Sequence, residues 1–308
     1  MTATKEKGAT PQQATDAANE AFGRHPGKRA LHAKGTLLKG TFTASAEAQS
    51  LTRAAHMQGE SIPATVRVSN GGGNPDVPDY VPDVRGLAVK LYLPDGTRTD
   101  IVAQTAPRFP VRTPEAFIDL LHAQHPGPDM LWKFPLFLAR HPEAIPGLPS
   151  NLPALRPPVS YATCTYYAIH AYRFLDCHGG SRYVRYKFVP EAGDHRLGPR
   201  AAKALGKDYL QEEIRRRVES GPVRFTLEVQ VAEPDDDVDD PVTEWPKHRW
   251  RVNVGTLEIT GLETERETQG DVLVFDPTRV TDGIELSDDP ILRFRHDVYS
   301  ESVSRRMS

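Results

Sequence analysis

Apolar and polar residues alternate in eight stretches of this chain. TLLKGTFTAS (36–45), ATVRVSN (64–70), GLAVKLYL (86–93), TDIVAQT (99–105) and residues 161–175, 181–189, 223–232 and 249–260 are rich in β-branched and aromatic side chains. A period near two predicts strands. NGGGNP, PDGT and CHGG separate several of them and read as turns. Elsewhere the period lengthens towards that of a helix. Thr10, Pro11 and Gln13 predict a helix over 10–23, with Thr10 as N-cap, Pro11 at the first helical position and Gly23 as the stop. From Pro114 to about Pro158 the chain reads as helical and interrupted by prolines, with Phe117, Leu120 and Leu121 on one side. Leu205, Tyr209, Leu210, Ile214 and Val218 predict a helix over 200–219, and the tail reads as another over 290–306. Residues 1–9 read as disordered. The pattern predicts an α+β chain: an antiparallel eight-stranded β-barrel core with added helices, in a single domain over 1–308.

A chain of 308 residues is long for one domain but suits a large barrel with helical additions. Lys and Arg number 38 against 41 Asp and Glu, so charge gives no reason to expect nucleic acid or an anionic membrane as a partner. Cys164 and Cys177 fit no zinc or thioredoxin spacing and cannot make a disulfide framework, which favours a reducing compartment. The N-terminus lacks the apolar core of a signal peptide, and no run approaches the roughly 18 apolar residues of a membrane span. Cytoplasm is the expected location. DDDVDD (235–240), with Pro234 and Pro241 on either side, reads as a solvated loop in preference to a calcium site.

Candidate chemistry lies in separate blocks. RFRHDVYSES (293–302) places Arg295 four residues before Tyr299, on one helix face. Alone, that is a guanidinium over an aromatic ring. KRALHAKG (28–35) carries Arg29 and His32 just ahead of a strand, and a lone His there is more often structural than catalytic. TVRVSN puts Arg67 and Ser69 on the same face of a strand. DVRGLAVKLY (83–92) and FDPTRVTDGIELSDDPIL (275–292) complete the set.

Together and in this order, the blocks resemble the haem catalase family. Arg29, His32, Ala33, Lys34 and Gly35 match its distal motif, Arg-x-x-His-Ala-Lys-Gly. Val66, Arg67, Val68 and Ser69 match Val-Arg-Phe-Ser, and residues 83–92 match Asp-Pro-Arg-Gly-Phe-Ala-Val-Lys-Phe-Tyr with conservative changes. Arg295 and Tyr299 match Arg-x-x-x-Tyr, whose Tyr ligates haem iron. The resemblance runs from about residue 24 to 306. It implies a catalase-like barrel holding haem b, with Tyr299 as the iron ligand; a tyrosine in that role is the established catalase arrangement. A cation about 4 Å from the phenol is worth about 4 kcal/mol at an effective dielectric near 20, or roughly three pKa units, which would favour the phenolate. Bound iron lowers the phenol pKa further. The resemblance also implies that His32 moves the peroxide proton and that Ser69 orients its ring. Arg29, Arg67 and Arg306 would pair with the haem propionates, with Arg305 as the nearby alternative. Phe109 and Phe117 fall where the family packs aromatics near the porphyrin, though they read equally as core residues.

Two departures shape the expected activity. DIVAQTAP (100–107) stands where the family has Asp-Leu-Val-Gly-Asn-Asn-Thr-Pro. With the second Asn taken as the distal amide, Thr105 occupies its place, and Gln104 would need a backbone bulge to reach the site. A hydroxyl is shorter than a carboxamide and rotates. Loss of one preorganised donor costs about 10²–10³ in rate, so weak catalase activity is expected. The sequence also stops nine residues after Tyr299, which resembles the small catalase-related peroxidase branch. The implied function is reduction of hydrogen peroxide or organic peroxides with small organic electron donors. Alternatives are a haem enzyme that rearranges fatty-acid hydroperoxides and a non-catalytic haem-binding barrel. A homodimer is the expected assembly, and no nucleotide is expected to bind.

Overall fold

Among the described residues ten strands join into one antiparallel sheet that closes on itself. The computed structural model describes residues 8–125, 130–268 and 273–307. The strands are β1 (Gly35–Ala44), β2 (Ser61–Asn70), β3 (Arg85–Tyr92), β4 (Arg98–Gln104), β5 (Tyr166–Tyr167), β6 (Tyr172–Leu175), β7 (Ser181–Pro190), β8 (Val223–Val231), β9 (Arg251–Leu262) and β10 (Ile284–Leu286). Their order is β10-β6-β7-β5-β4-β3-β2-β1-β9-β8, and β8 pairs back onto β7. That pairing closes β1 to β5 and β7 to β9 into the eight-stranded barrel, while β6 and β10 extend outside the ring. The alternation read in the sequence is the reason. Leu38, Val66, Val89, Ile101, Tyr166, Phe188, Phe225 and Leu257 come from different strands of the ring and meet in one buried apolar cluster. The intervening residues point outwards from the ring.

Those helices are α1 (Pro11–Phe22), α2 (Pro114–Ala123), α3 (Met130–Arg140), α4 (Leu148–Ala154), α5 (Pro199–Ala204), α6 (Tyr209–Ser220), α7 (Glu265–Thr268) and α8 (Pro290–Met307). α1 starts as its capping box requires: the Gln13 N–H donates to Thr10 Oγ1 at 3.2 Å, and the Thr10 N–H to Gln13 Oε1 at 2.9 Å. Residues 1–7, within the stretch read as disordered, lie outside the described residues. Ala9 is tied to α2, its N–H donating to Glu115 Oε1 at 2.7 Å. α1 packs on both α2 and α8.

Two expectations change. The helix expected over 200–219 breaks between α5 and α6 at a turn containing Gly206, and Leu205 is 53% exposed instead of sharing the face of Leu210 and Ile214. The strand expected over 161–175 begins instead with a 3-10 turn, Tyr161–Thr163, whose Ala162 N–H donates to Ser160 Oγ; β5 and β6 follow as two short strands. The acidic run forms the loop expected of it, with part of its charge held in ion pairs. Asp235 and Asp236, with Glu233, surround Arg249, and Asp240 pairs with Arg112. Among the described residues no cluster of His, Cys, Asp or Glu could hold a metal ion, and no helix is long and apolar enough to cross a membrane.

His56 lies in a 3-10 turn (Ala55–Met57) beside the Phe42 ring, fully buried, and neither ring nitrogen has a hydrogen-bond partner. Burial lowers its pKa from 6.5 to about 4. The unfolded chain therefore binds the proton more tightly between those values, and stability falls as pH drops through that window. The loss amounts to about 3 kcal/mol from this group. Thermal melts from pH 7 to 4 should show the wild-type midpoint falling more steeply than that of His56→Leu. Parallel curves would remove His56 as the cause.

Candidate active site

His32 precedes β1 in a left-handed backbone conformation, φ +55°, the only such non-glycine among the described residues. Its N–H donates to the Gly71 carbonyl at 2.9 Å, and the Ala33 N–H donates to that of Gly72 at 3.1 Å. Asp83 fixes the loop from behind, one carboxylate oxygen accepting the Gly71 and Gly72 N–H groups at 2.8 and 3.0 Å. The His32 ring then sits with Nδ1 3.0 Å from Ser69 Oγ. Strand register makes the space. Ser69 is directly opposite Gly35 on β1 and Gly86 on β3. A Cβ on Gly86 would lie 2.8 Å from both His32 Nδ1 and Ser69 Oγ, so no larger residue leaves room for the ring. Desolvation, followed by the charges of Arg67, Arg295 and Arg29, lowers the His32 pKa to about 3. The imidazole is neutral at any physiological pH.

The same register corrects the distal amide. Gly86 is opposite Gln104 on β4, and residues directly opposite in an antiparallel pair share a face. Gln104 thus emerges on the face of Ser69 without any bulge, its Nε2 donating to the Ala106 carbonyl at 3.3 Å. Thr105 is turned away and buried. Its Oγ1 accepts the Arg85 N–H at 3.0 Å and donates to the Ala154 carbonyl at 3.4 Å. The position expected to be catalytic therefore bonds backbone, and the carboxamide stands one residue earlier.

α8 carries the opposite side. Asp289 caps this helix, Oδ1 accepting the N–H groups of Ile291 and Leu292 at 2.8 and 3.2 Å. Its Oδ2 lies 2.6 Å from His170 Nδ1. His170 Nε2 is 3.1 Å from Arg295 Nη1, and Arg295 Nη2 donates to the Tyr299 oxygen at 2.5 Å. A guanidinium only donates, so Nε2 accepts and the proton of the neutral ring is on Nδ1, directed at Asp289. Burial lowers the His170 pKa and keeps that ring neutral. Burial opposes the Arg295 charge, but the Tyr299 oxygen beside it more than compensates and raises the guanidinium pKa. Sequence reasoning missed His170, whose only signal is one histidine in an apolar run. Asp289 was readable as a cap, because Asp-Pro ahead of Ile-Leu is a helix start.

Cations gather at one edge. Arg67 is buried, with Nη2 donating to the Ala33 carbonyl at 3.3 Å, and a Cβ on Gly35 would press within 2.7 Å of that nitrogen. Arg29 Nη2 donates to the Leu273 carbonyl at 2.7 Å. Arg306 lies two turns beyond Tyr299, with a buried Nε that has no partner; burial lowers its pKa. Arg305 is instead held by Asp16 and Glu301, fastening α8 to α1. Of the two candidates for a propionate, Arg306 has the unspent donor. The Phe109 and Phe117 rings are 5.5 Å apart, and Phe109 is 6.4 Å from the His170 ring. These residues fit a haem. His32 and Tyr299 would stand on its two faces, with Arg29, Arg67 and Arg306 at the carboxylate edge and the Phe pair alongside.

A family model described as Catalase matches residues 18–308. The chain is 50% identical to a catalase-related peroxidase of Mycolicibacterium paratuberculosis, over 97% of this chain and 95% of that one. It is 34% identical to a catalase-related peroxidase of Synechococcus elongatus, over 97% and 89% of the two chains. Among solved structures, catalase A from Saccharomyces cerevisiae superposes with a TM-score of 0.82 at 22% identity, over 92% of this chain and 62% of that one. A fungal catalase does so with a TM-score of 0.81 at 24% identity, over 92% and 60%. The chain thus spans about three-fifths of those two catalases. From the barrel, the matched motifs and the identity over nearly the whole length, the chain belongs to the catalase family.

Proposed function

We propose that the protein is a haem-dependent peroxidase, reducing hydrogen peroxide or organic peroxides with a small organic electron donor and showing weak catalase activity. The observation that carries this reading is the hydrogen-bonded chain from Asp289 through His170 and Arg295 to Tyr299, set against a neutral His32 bonded to Ser69. The two catalase-related peroxidases among its relatives support it. A haem-carrying barrel would need no acid–base group, so His32 and Ser69 weigh against that alternative.

A haem b held between these residues would supply the one-electron redox chemistry that links the donor to the peroxide. Arg295 donates to the Tyr299 oxygen, and His170 and Asp289 keep Arg295 aimed. On the other face His32 Nδ1 lies 3.0 Å from Ser69 Oγ, and the tautomer with its proton on Nδ1 has a lone pair on Nε2. That nitrogen accepts the peroxide hydroxyl proton and returns it to the departing oxygen, which leaves as water or an alcohol. Gln104 offers a carboxamide from the same face to hold the peroxide. Arg29, Arg67 and Arg306 would pair with the haem propionates.

Gln104→Leu should lower peroxide turnover by about 10²–10³. Thr105→Val should instead cost about 1 kcal/mol of stability in a denaturant melt and leave turnover near wild type. The reverse pattern would restore Thr105 as the distal group.

Because His32 must be neutral to accept the proton and its pKa is lowered to about 3, the rate of the peroxide reaction should be flat from pH 8 to near 4. It should fall only below that, as the ring protonates. Stopped-flow pH jumps read this before any unfolding. A midpoint near the ordinary histidine value of about 6.5 would sink the assignment.

Arg295→Leu removes the guanidinium that donates to the Tyr299 oxygen. Tyrosinate vibrations in resonance Raman spectra of the haem-loaded protein should disappear in Arg295→Leu and Tyr299→Phe and persist in Arg295→Lys. Tyrosinate bands surviving in Tyr299→Phe would assign the ligand elsewhere.

A further inference from the structure

A cavity of about 470 Å³ opens between the end of α1, the turn that follows it and the last turns of α8. Arg24, Lys28 and Arg29 line it from the turn, and Arg305 and Arg306 from α8. No carboxylate lines it among the described residues. The cations divide by engagement. Arg305 is held by Asp16 and Glu301. Arg306 keeps its unpartnered Nε. Arg24 and Lys28 are exposed, and neither side chain has an ion-pair partner among the described residues.

If haem is held as proposed above, two propionates arrive at this edge and meet three guanidiniums, those of Arg29, Arg67 and Arg306. Arg24 and Lys28 are then surplus positive charge at the mouth of a concave site. Like charges gathered in a cleft repel one another and draw in an anion, and such a field raises encounter rates. Arg306 and Tyr299 lie seven residues apart on α8, about 10 Å along the axis, so the mouth adjoins the macrocycle edge and not the peroxide side.

We propose that this cavity docks the reducing substrate, and that this substrate is an anionic aromatic molecule carrying a carboxylate or sulfonate gripped by Arg24 and Lys28. The inference rests on the peroxidase reading. In each turnover two donor molecules give up one electron each and depart as one-electron-oxidised radicals. The peroxide O–O bond breaks as it accepts both electrons and two protons, yielding water with an alcohol, or two waters from hydrogen peroxide. Donor and peroxide thus approach from different sides, with His32 and Ser69 reserved for the peroxide.

The test uses haem-loaded protein, the dianionic sulfonated dye ABTS and the neutral phenol guaiacol. Raising salt from about 0.01 to 0.5 M should lower kcat/KM for ABTS about tenfold and leave that for guaiacol nearly constant. Arg24→Glu/Lys28→Glu should lower the ABTS-to-guaiacol ratio of kcat/KM at least about tenfold, chiefly through KM, with Arg24→Gln/Lys28→Gln intermediate. Equilibrium dialysis of ABTS with the resting protein, which needs no turnover, should show binding lost in the Glu variant. An unchanged ratio, or dye retained equally by the Glu variant, overturns the proposal. Failure of both donors with peroxide would instead remove the peroxidase reading, and dialysis would still decide whether the cavity binds the dianion.

Discussion

Everything on the α8 side of the site depends on one buried carboxylate doing two jobs. Asp289 caps the helix through Oδ1 and receives His170 through Oδ2. The cap satisfies backbone donors and sets a negative charge against the positive end of the helix dipole. The His170 bond fixes the tautomer that lets Arg295 be accepted, and Arg295 fixes Tyr299. Starting the helix and aiming the phenol are thus one arrangement. Asp289 and His170 are almost wholly buried, so removing one partner would strand a polar group with no water to replace it.

The barrel wall supplies the other side by being two-faced. Leu38, Val66, Val89 and Ile101 form a row towards the interior cluster. The adjacent rows point the other way: Leu37, Ala88 and Val102 pack on Leu273 and Phe275, and Gly35, Ser69, Gly86 and Gln104 lie on the face that meets His32. Glycine on both sides of Ser69 leaves the hollow that His32 and the Arg67 guanidinium occupy. A slip of one residue would swap the faces. Lys90 and Asp100, directly opposite on β3 and β4, are buried and bonded at 2.5 Å, and Asp100 also accepts the Asp276 N–H at 2.9 Å. A misplaced register would bury those charges unpaired, and the same register delivers Gln104 opposite Gly86.

Much of this was legible in residue patterns. Alternation marked seven of the strands well, because one face of each meets the interior cluster, and the Thr10 capping box marked α1 to the residue. β10 has three residues and no periodicity to read. The single helix expected over 200–219 failed because spacing alone ignored the turn at Gly206. At the site, His32, Ser69, Arg67, Arg295 and Tyr299 were carried by motifs and fall together in space. Thr105 was misplaced because the motif was aligned by counting from its second Asn, when strand parity with Ser69 and Gly86 selects Gln104. His170 was invisible, since its partners are more than a hundred residues away in sequence.

The two halves of the site come from opposite ends of the polypeptide: Arg29 and His32 early, Tyr299 and Arg306 late. During synthesis on the ribosome, the barrel wall and its imidazole emerge long before α8 exists to face them. At that stage Arg29, His32, Arg67 and Ser69 are in place, and Arg295, Tyr299 and Arg306 are still to come. The set of side chains gathered here is therefore complete only once α8 has settled against α1 and the His170 ring.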